Sequence, residues 1–445
     1  MFTYVLVQSS VSSVLLSPYY YASIYLWETK MSRIGRKIGI SLILMCGVYV
    51  IILNNLLPLN PFLPTSPSPL NASLPTFGYL QQGKTALKFL LESSEIKAAR
   101  HRVSDELKDF PLDQIHLLNQ KGQRYSPSWA DLLLEEGGQP LRALIFTTWR
   151  SGSTFMGDIL TSHPSAFYHY EPLLYIGIRQ VRESDPGLAD QAINVIKSLL
   201  HCKYDDLGDY LSYGKKHHWL FNHNERLWNH CLNGKNKACW NPQTLDKICA
   251  IHPFQTLKTV RLRLSLARSF LDDKSLQNIK ILHIVRDPRG TLQSRKHRDW
   301  CPGEPDCYEP KNLCSDLTSD YHSAKELIRD YPNRFMVFRY EDFSNDPFNN
   351  SKKVLDFFSF VYHDKVRDFL KSHTAIKKGG VSSTFRNSKT APYHWMKDLK
   401  IEEILSIQKE CGEALRLWGY VPYKYSSTDN SYIKSFNPLT NYSLV

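Results

Sequence analysis

An apolar run that leads directly into a loop of small polar residues constrains the fold of this chain most strongly. Leu141–Phe146 is followed by TTWRSGSTF at 147–155, and a helix-like stretch comes next. A strand, a short loop and a helix in this order are typical of α/β domains, in which the loop amides and the helix dipole attract an anion. Gly152 permits close approach of the backbone, and Arg150 adds a permanent planar charge. The lysine of loops that bind ATP or GTP is absent, and a helix start capped by serine or threonine would also fit.

A second strand and helix follow the same plan at residues 279–298, IKILHIVRDPRGTLQSRKHR. Arg286 stands at the end of the apolar run, where open α/β sheets place ligands. Ser294 lies about two helical turns further on, and Asp287 is a candidate to cap the helix or to hold an arginine in place. The alternative is a solvated basic helix face, with four cations simply exposed: Arg289, Arg295, Lys296 and Arg298.

The remaining pattern alternates apolar runs with helical stretches, which predicts an α/β domain with a mostly parallel sheet flanked by helices. The predicted strands are Leu141–Thr147, Ala166–Tyr170, Gln255–Val260, Lys280–Val285 and Arg334–Arg339. The predicted helices are Thr154–Ser162, Asp190–His201, Leu264–Leu271, Gly290–Lys296, Ser319–Asp330, Lys352–Phe360 and Ile401–Leu417.

Near the N-terminus, twenty residues without a charge, Ile38–Leu57, are long enough to cross a bilayer as a helix. Arg33, Arg36 and Lys37 precede them, so the positive-inside rule predicts a type II signal anchor with the rest of the chain on the lumenal side. A buried core helix and a cleaved signal peptide are the alternatives. Residues 1–30 are also almost free of charge and fit either a second span or an upstream extension, with Met31 as an alternative start.

The predicted organisation therefore has five parts. These are a cytoplasmic segment (1–37), the transmembrane anchor (38–57), a Pro-rich stem and helical lead-in (58–138), the catalytic domain (139–424) and a polar, frayed tail (425–445).

Net charge indicates which classes of partner are expected, and the cysteines indicate the cellular compartment. The formal net charge of +12 suggests anionic partners, and the lack of any zinc-finger or RNA-binding signature argues against nucleic acid. Eight of the nine cysteines follow the anchor, which is compatible with disulfides in an oxidising compartment. Their spacing lacks paired C-x-x-C knuckles, so no metal site is predicted. Clusters at 231–249 and 301–314 suggest local pairs, but the pairing stays open.

The two anion motifs resemble those of the carbohydrate 6-O-sulfotransferases that modify galactose, N-acetylglucosamine or N-acetylgalactosamine. The resemblance includes HYEPL at 169–173, FRYEDF at 338–343 and STFRNSKTAPYHWMKDL at 383–399, and it covers about 140–420 in order. It implies a P-loop-like sulfotransferase fold and a single-pass Golgi membrane enzyme. It also implies the donor 3′-phosphoadenosine 5′-phosphosulfate (PAPS), no metal, and a glycan or proteoglycan acceptor. Oligomeric state is not indicated.

The resemblance also assigns donor contacts. The first loop would bind the 5′-phosphosulfate through Thr148, Trp149, Arg150, Ser151, Gly152, Ser153 and Thr154. The second motif would bind the 3′-phosphate, with Arg286 and Ser294 as the main contacts within Arg286, Asp287, Pro288, Arg289, Gly290, Thr291, Leu292, Gln293 and Ser294.

For catalysis we expect Arg150 to stabilise developing charge, because an arginine is a poor proton donor. Glu171 is the first candidate for the general base, against an acceptor-binding or arginine-orienting role, and His169 and His163 are weaker candidates. Glu341 and Asp342 are expected to brace the end of the sheet, and the loop at 386–388 either covers the nucleotide or forms a structural turn. Acceptor specificity is expected between the motifs, at about 173–250. Two other functions fit less well: a nucleotide kinase or NTPase, and a non-catalytic glycan-binding protein.

Overall fold

The computed structural model describes residues 93–118, 121–228, 237–375, 378–380, 383–424 and 436–444. The chain divides into two compact units, 1–78 and 79–445, and every described residue belongs to the second. The predicted cytoplasmic segment, anchor and Pro-rich stem lie outside the described residues. Across the described ranges, no helix combines the length and apolar character needed to span a bilayer.

A five-stranded parallel sheet forms the centre of the second unit, as the alternating pattern predicted. Its strands are β1 (Leu141–Phe146), β2 (Ala166–Tyr170), β3 (Phe254–Thr259), β4 (Ile279–Val285) and β5 (Phe335–Arg339). They lie in the order β2-β3-β1-β4-β5. Every residue of β1 and β3 is buried, because helices cover both faces of the sheet. The predicted strands agree with the observed ones to within one residue at each end.

The longer helices are α1 (Ser94–Leu107), α2 (Ser153–Thr161), α3 (Pro186–Leu200), α4 (Gly208–Lys216), α5 (Pro242–Ala250), α6 (Pro288–Lys296), α7 (Pro310–Asp330), α8 (Pro347–Phe358), α9 (Asp364–Thr374) and α10 (Ile401–Leu417). Short helices lie at Trp129–Leu132, Trp219–Asn222, Glu225–Trp228, Arg268–Leu271, Pro305–Tyr308, Tyr340–Asn345 and Trp395–Asp398. α3, α6, α7 and α8 all begin earlier than predicted. Each begins at a proline, which fits the first turn because no intrahelical bond is lost there.

The helical lead-in forms part of the domain core rather than a separate spacer. Ile96, Ala99 and Val103 repeat along one face of α1, and each is buried in the main hydrophobic cluster. The sequence pattern therefore marked the beginning of the sheet, but the packed unit begins further towards the N-terminus.

The prediction of a frayed C-terminal tail is wrong for residues 436–444. Leu439 pairs with Tyr420, and the Tyr321 hydroxyl donates to the Ser443 carbonyl at 2.6 Å. Arg339, at the end of β5, donates to the Thr440 carbonyl at 2.8 Å. A polar composition did not reveal this docking, because the contacts are made largely by backbone carbonyls.

The domain contains disulfides, in agreement with the predicted oxidising compartment. The pairs are Cys202–Cys249, Cys301–Cys307 and Cys314–Cys411, and Cys239 is disulfide-bonded as well. The pair Cys301–Cys307 confirms a local pair within the 301–314 cluster. Cys249 and Cys314 instead bond to cysteines 47 and 97 residues away, which local spacing could not show.

Candidate active site

A cavity of about 800 Å³ opens at the carboxyl ends of the central strands. Its wall includes Arg150 and Thr154 after β1, Glu171 after β2, Arg261 after β3, and Arg286 after β4. This is the edge where a parallel sheet presents its loops to a ligand. The two sequence motifs therefore lie in one cavity.

The junction between β1 and α2 places backbone close to the cavity. Gly152 has φ +92°, and a Cβ at this position would lie 2.4 Å from the Tyr340 ring, so only glycine fits without displacing that ring. α2 begins at the next residue, Ser153. The first amides of a helix have no partner within it, and they carry its positive dipole end. The geometry suits an anion.

Two residues predicted to contact the donor, Thr148 and Ser151, make hydrogen bonds within the protein that stabilise this loop. The Ser151 side chain is fully buried and donates to the Thr148 carbonyl at 2.9 Å. The Thr148 hydroxyl accepts a bond from Arg295 at 2.6 Å. Neither residue lines the cavity, whereas Trp149, Arg150 and the run 152–154 do.

Direct contacts join the two motifs. The Arg150 Nε donates to Ser294 Oγ at 3.0 Å, across 144 residues of sequence. Arg286 Nη1 donates to the Arg150 carbonyl oxygen at 2.7 Å. Arg286 also lies over the Tyr340 ring, 4.9 Å from its centroid. The predicted anchor residues of the two loops thus form one continuous wall.

This wall concentrates positive charge. Burial, followed by repulsion from Arg298 and Arg286, lowers the pKa of Arg150 to about 10. All three arginines line the cavity, and Arg150 still carries its proton at neutral pH. Arg286 Nε is buried without a hydrogen-bond partner among the described residues. Holding cations together in this way has a cost that a bound polyanion would relieve.

The junction between β4 and α6 turns most of its polar groups inwards. Asp287 caps α6 by accepting the Arg289 amide at 2.9 Å, and it pairs with the buried Arg289 guanidinium at 2.7 Å. The Asp287 amide donates to Glu341 at 3.1 Å. Both roles expected for Asp287, capping and holding an arginine, are therefore present.

Only three residues of the second motif line the cavity, namely Arg286, Gln293 and Ser294. The other six predicted donor contacts lie behind the wall: Asp287, Pro288, Arg289, Gly290, Thr291 and Leu292. Their direct contact with the donor stays a prediction. The alternative of a solvated basic face is wrong for Arg289 and Arg295, which are buried because neighbouring helices cover α6, and for Arg298, which is buried in the cavity wall.

Glu171 lies in the cavity wall with two cationic partners. Its carboxylate accepts bonds from Lys258 Nζ at 2.5 Å and from Arg261 Nη1 at 2.9 Å. Burial alone would raise its pKa, but Lys258 and Arg261 outweigh that effect and lower the pKa to about 2. Glu171 is therefore ionised at neutral pH, and its contact with Arg261 fits the arginine-orienting role considered above.

Sequence reasoning missed Lys258. This residue is fully buried near the end of β3, where its Nζ lies 3.9 Å from the Tyr170 ring centroid and 3.4 Å from Thr154 Oγ1. A lysine inside the otherwise uncharged run FQTLKTV was the available signal, because a charge in a buried strand requires a partner.

The two histidine candidates for the base belong to the core. His163 packs against Phe254, and His169 against Phe167. Burial lowers the pKa of both histidines to about 3, and neither lines the cavity. As bases they are ruled out by their position.

Two further expectations concern the carboxylates at the end of β5 and the loop at 386–388. Glu341 accepts from the Asp287 amide and the Tyr420 hydroxyl, and Asp342 pairs with Arg339, so both carboxylates brace the sheet end as expected. Arg386 and Ser388 line the cavity, while the Asn387 side chain accepts the Lys389 amide; the loop thus has both a cavity-facing and a turn-forming part. Within the described ranges, no group of three or more His, Cys, Asp or Glu side chains could hold a metal ion.

This chain is similar to several known proteins. The family model described as "Sulfotransferase domain" matches residues 140–418. Carbohydrate sulfotransferase 4 of Mus musculus is 25% identical over 330 residues, which cover 64% of this chain and 84% of the relative. Carbohydrate sulfotransferase 3 of Homo sapiens is 25% identical over 330 residues, covering 64% and 68%. A solved structure, mouse sulfotransferase SULT7A1 complexed with PAP, is 11% identical and covers 68% of this chain and 95% of its own, with a TM-score of 0.33.

Proposed function

This chain belongs to the sulfotransferase domain family, and on that premise we propose that it transfers a sulfuryl group from PAPS to the 6-hydroxyl of a sugar. The acceptor is a galactose, N-acetylglucosamine or N-acetylgalactosamine residue in a glycan or proteoglycan. Relatives named as carbohydrate sulfotransferases support the sugar acceptor. The choice of the 6-hydroxyl follows from the motif resemblance.

One observation carries the proposal: the contact of Arg150 with Ser294 and of Arg286 with the Arg150 carbonyl. PAPS has a phosphosulfate at one end and a 3′-phosphate at the other. Its site therefore needs two anion-binding positions in one cavity. The residues fit this requirement. A glycine-containing helix start and a cluster of arginines line the same wall.

The donor supplies the activated sulfuryl group as a phosphosulfate anhydride. The first amides of α2 and Arg150 hold the phosphosulfate end and stabilise the negative charge that grows on the bridging oxygen as the bond breaks. Arg286 and Ser294 hold the 3′-phosphate. Trp149, beside Arg150, helps to enclose this part of the cavity.

Glu171 is the proposed proton acceptor for the sugar hydroxyl, because its carboxylate is ionised and lies in the cavity wall. Its low pKa makes it a weak base. A weak base suits a loose transfer by analogy with phosphoryl transfer, in which the incoming oxygen carries little charge until late. Lys258 and Arg261 fix the carboxylate in place.

We also propose a single-pass type II Golgi membrane protein whose catalytic domain is lumenal. The uncharged segment 38–57 supports the anchor. The disulfides support an oxidising compartment.

The test is transfer of labelled sulfate from PAPS to a panel of desulfated glycans by the purified protein, together with calorimetric binding of 3′,5′-bisphosphoadenosine (PAP). Arg286→Ala should weaken PAP binding by about 2 kcal/mol, roughly thirtyfold, because a charged hydrogen-bond donor is lost. Arg179→Ala is the matched control, since Arg179 pairs with Asp185 and does not line the cavity. No transfer to any glycan, together with no affinity for PAP, would refute the proposal.

A further inference from the structure

We propose that Trp219, which lies in the cavity wall with Tyr213, forms an aromatic seat for the pyranose ring of the acceptor sugar. This inference rests on the proposed function and identifies residues that recognise the sugar within the 173–250 region. Both residues line the cavity. Trp219 begins a short helix, and Tyr213 lies on α4.

The seat lies at a different end of the sheet from the arginine wall. Trp219 packs next to Tyr170, at the carboxyl end of β2. Arg150 and Arg286 follow β1 and β4. Since the strand order is β2-β3-β1-β4-β5, β3 separates β2 from the strands that carry the arginines. The cavity therefore has the arginine wall at one end and Trp219 at the other.

Tyr170 connects the two ends. Its hydroxyl lies 3.5 Å from Thr154 Oγ1, in the first turn of α2. Its ring stacks on His223 with a centroid distance of 3.7 Å, and it meets the Trp219 ring edge-on at 6.2 Å. Lys258 Nζ lies 3.9 Å from the Tyr170 ring centroid. A single side chain thus separates the donor loop from Trp219, so a sugar on the seat is adjacent to the donor.

The chemistry of the seat suits a sugar. Trp219 is 44% exposed to solvent, although its neighbours Leu220 and Phe221 are buried. An isolated exposed indole is unremarkable on a surface, but a large apolar ring in the wall of a cavity that also holds a few charged groups is typical of a ligand site. A pyranose presents an apolar face of C–H bonds with partial positive charge, which complements the negative face of an aromatic ring. Its hydroxyl groups remain free to reach Glu171 and Arg261, which line the same cavity.

The rival occupant is the adenine of the donor, which would also stack on an indole. The two occupants predict opposite results for Trp219→Ala. Loss of a sugar seat weakens glycan binding and leaves PAP binding unchanged, whereas loss of an adenine platform weakens PAP binding.

The experiment measures two dissociation constants by calorimetry on the whole protein: that of PAP alone, and that of desulfated glycans added to the PAP-loaded protein. The glycans together contain galactose, N-acetylglucosamine and N-acetylgalactosamine. For Trp219→Ala we expect the glycan dissociation constant to rise at least tenfold and that of PAP to stay within twofold. Trp219→Phe keeps an aromatic ring and should retain glycan binding to within about threefold. Phe348→Ala removes another exposed ring, outside the cavity, and should change neither constant.

An unchanged glycan constant in Trp219→Ala, a weakened PAP constant, or no glycan binding by the unaltered protein would each overturn the seat. Unchanged PAP binding also shows that the variant is folded. Sulfate transfer is measured separately. Glycan binding that depends on Trp219 but comes without sulfate transfer would support the seat while refuting the proposed enzyme activity.

Discussion

The two strand-to-helix junctions of the cavity share one topology but present different groups to a ligand. After β1, the chain turns through Gly152, and α2 starts at the cavity wall with its first amides near the surface of the wall. After β4, Asp287 occupies the start of α6 with its own carboxylate and is itself fully buried. The first junction therefore offers backbone, while the second offers only the side chains of Arg286, Gln293 and Ser294.

This difference indicates that anion binding at a helix start depends on whether a side chain of the protein already caps that start. A capping carboxylate satisfies the first amides and cancels part of the dipole, which leaves side chains to bind any anion. Substitutions at the first junction should thus affect donor binding, and those inside the second should affect folding.

The largest expected effect comes from Arg289→Ala, inside the second junction. The substitution leaves Asp287 buried and uncompensated, and breaking a buried pair in this way costs about 4 kcal/mol. Urea unfolding should show this loss, while the folded fraction keeps its affinity for PAP. Arg268→Ala removes an ion pair with Asp330 that is partly exposed and should cost less than about 1 kcal/mol. A stable Arg289→Ala protein with weakened PAP binding would contradict the comparison.

The next effect concerns the first junction. Gly152→Ala places a Cβ 2.4 Å from the Tyr340 ring at φ +92°, which should displace the loop and cost about 3 kcal/mol. Most of that cost should appear as lost PAP affinity, measured by calorimetry. Gly187→Ala is the matched control, because a Cβ there meets no atom within 4 Å. Equal behaviour of the two variants would show that close backbone approach at Gly152 is not needed.

Glu341→Gln probes the interior of the second junction through pH. Burial, and then the nearby Asp287, raises the pKa of Glu341 from 4.5 to about 7. The folded chain retains a proton that the unfolded chain releases, so this group destabilises the fold progressively as the pH rises from 4.5 through 7. We expect Glu341→Gln to stabilise the protein by about 2 kcal/mol at pH 8 and by only about a quarter of that at pH 5. Thermal unfolding at both pH values gives the measurement, and an equal gain at both would reject the charge argument.

The smallest effect should come from Ser294→Ala, at the surface of the second junction. Arg150 Nε loses the hydroxyl that accepts its bond at 3.0 Å, and any donor contact of Ser294 is lost too. PAP affinity should fall by about 1 kcal/mol, roughly fivefold, with no change in the free energy of unfolding. A loss of folding stability instead would place Ser294 with the buried scaffold residues.

The sequence alone predicted the five strands and the first junction, but it did not predict the buried contacts inside the second junction. The five strands were predictable because each is a short run rich in aromatic, β-branched or aliphatic residues, bounded by turn or helical segments. The first junction was predictable because its glycine, arginine and hydroxyl residues are consecutive.

The buried contacts inside the second junction are made with residues far away in the chain. Arg289 donates to Gln408 and to the Val421 carbonyl, across 119 and 132 residues. Nothing in RDPRGTLQSR distinguishes this buried cation from an exposed one, because burial is decided by α10 and the segment beyond it. Lys258 was overlooked for the same reason, since its partner Glu171 is 87 residues away.

The docked segment 436–444 has a consequence for the order of events during protein synthesis. The Tyr321 hydroxyl donates to a carbonyl oxygen 122 residues further along the chain, and Arg339 donates to one 101 residues further along. On the ribosome, the whole parallel sheet is translated before either partner exists. We therefore expect the nascent domain to remain incomplete at β5 until residues 436–444 leave the exit tunnel, and chaperones that bind unfinished chains have that interval in which to act.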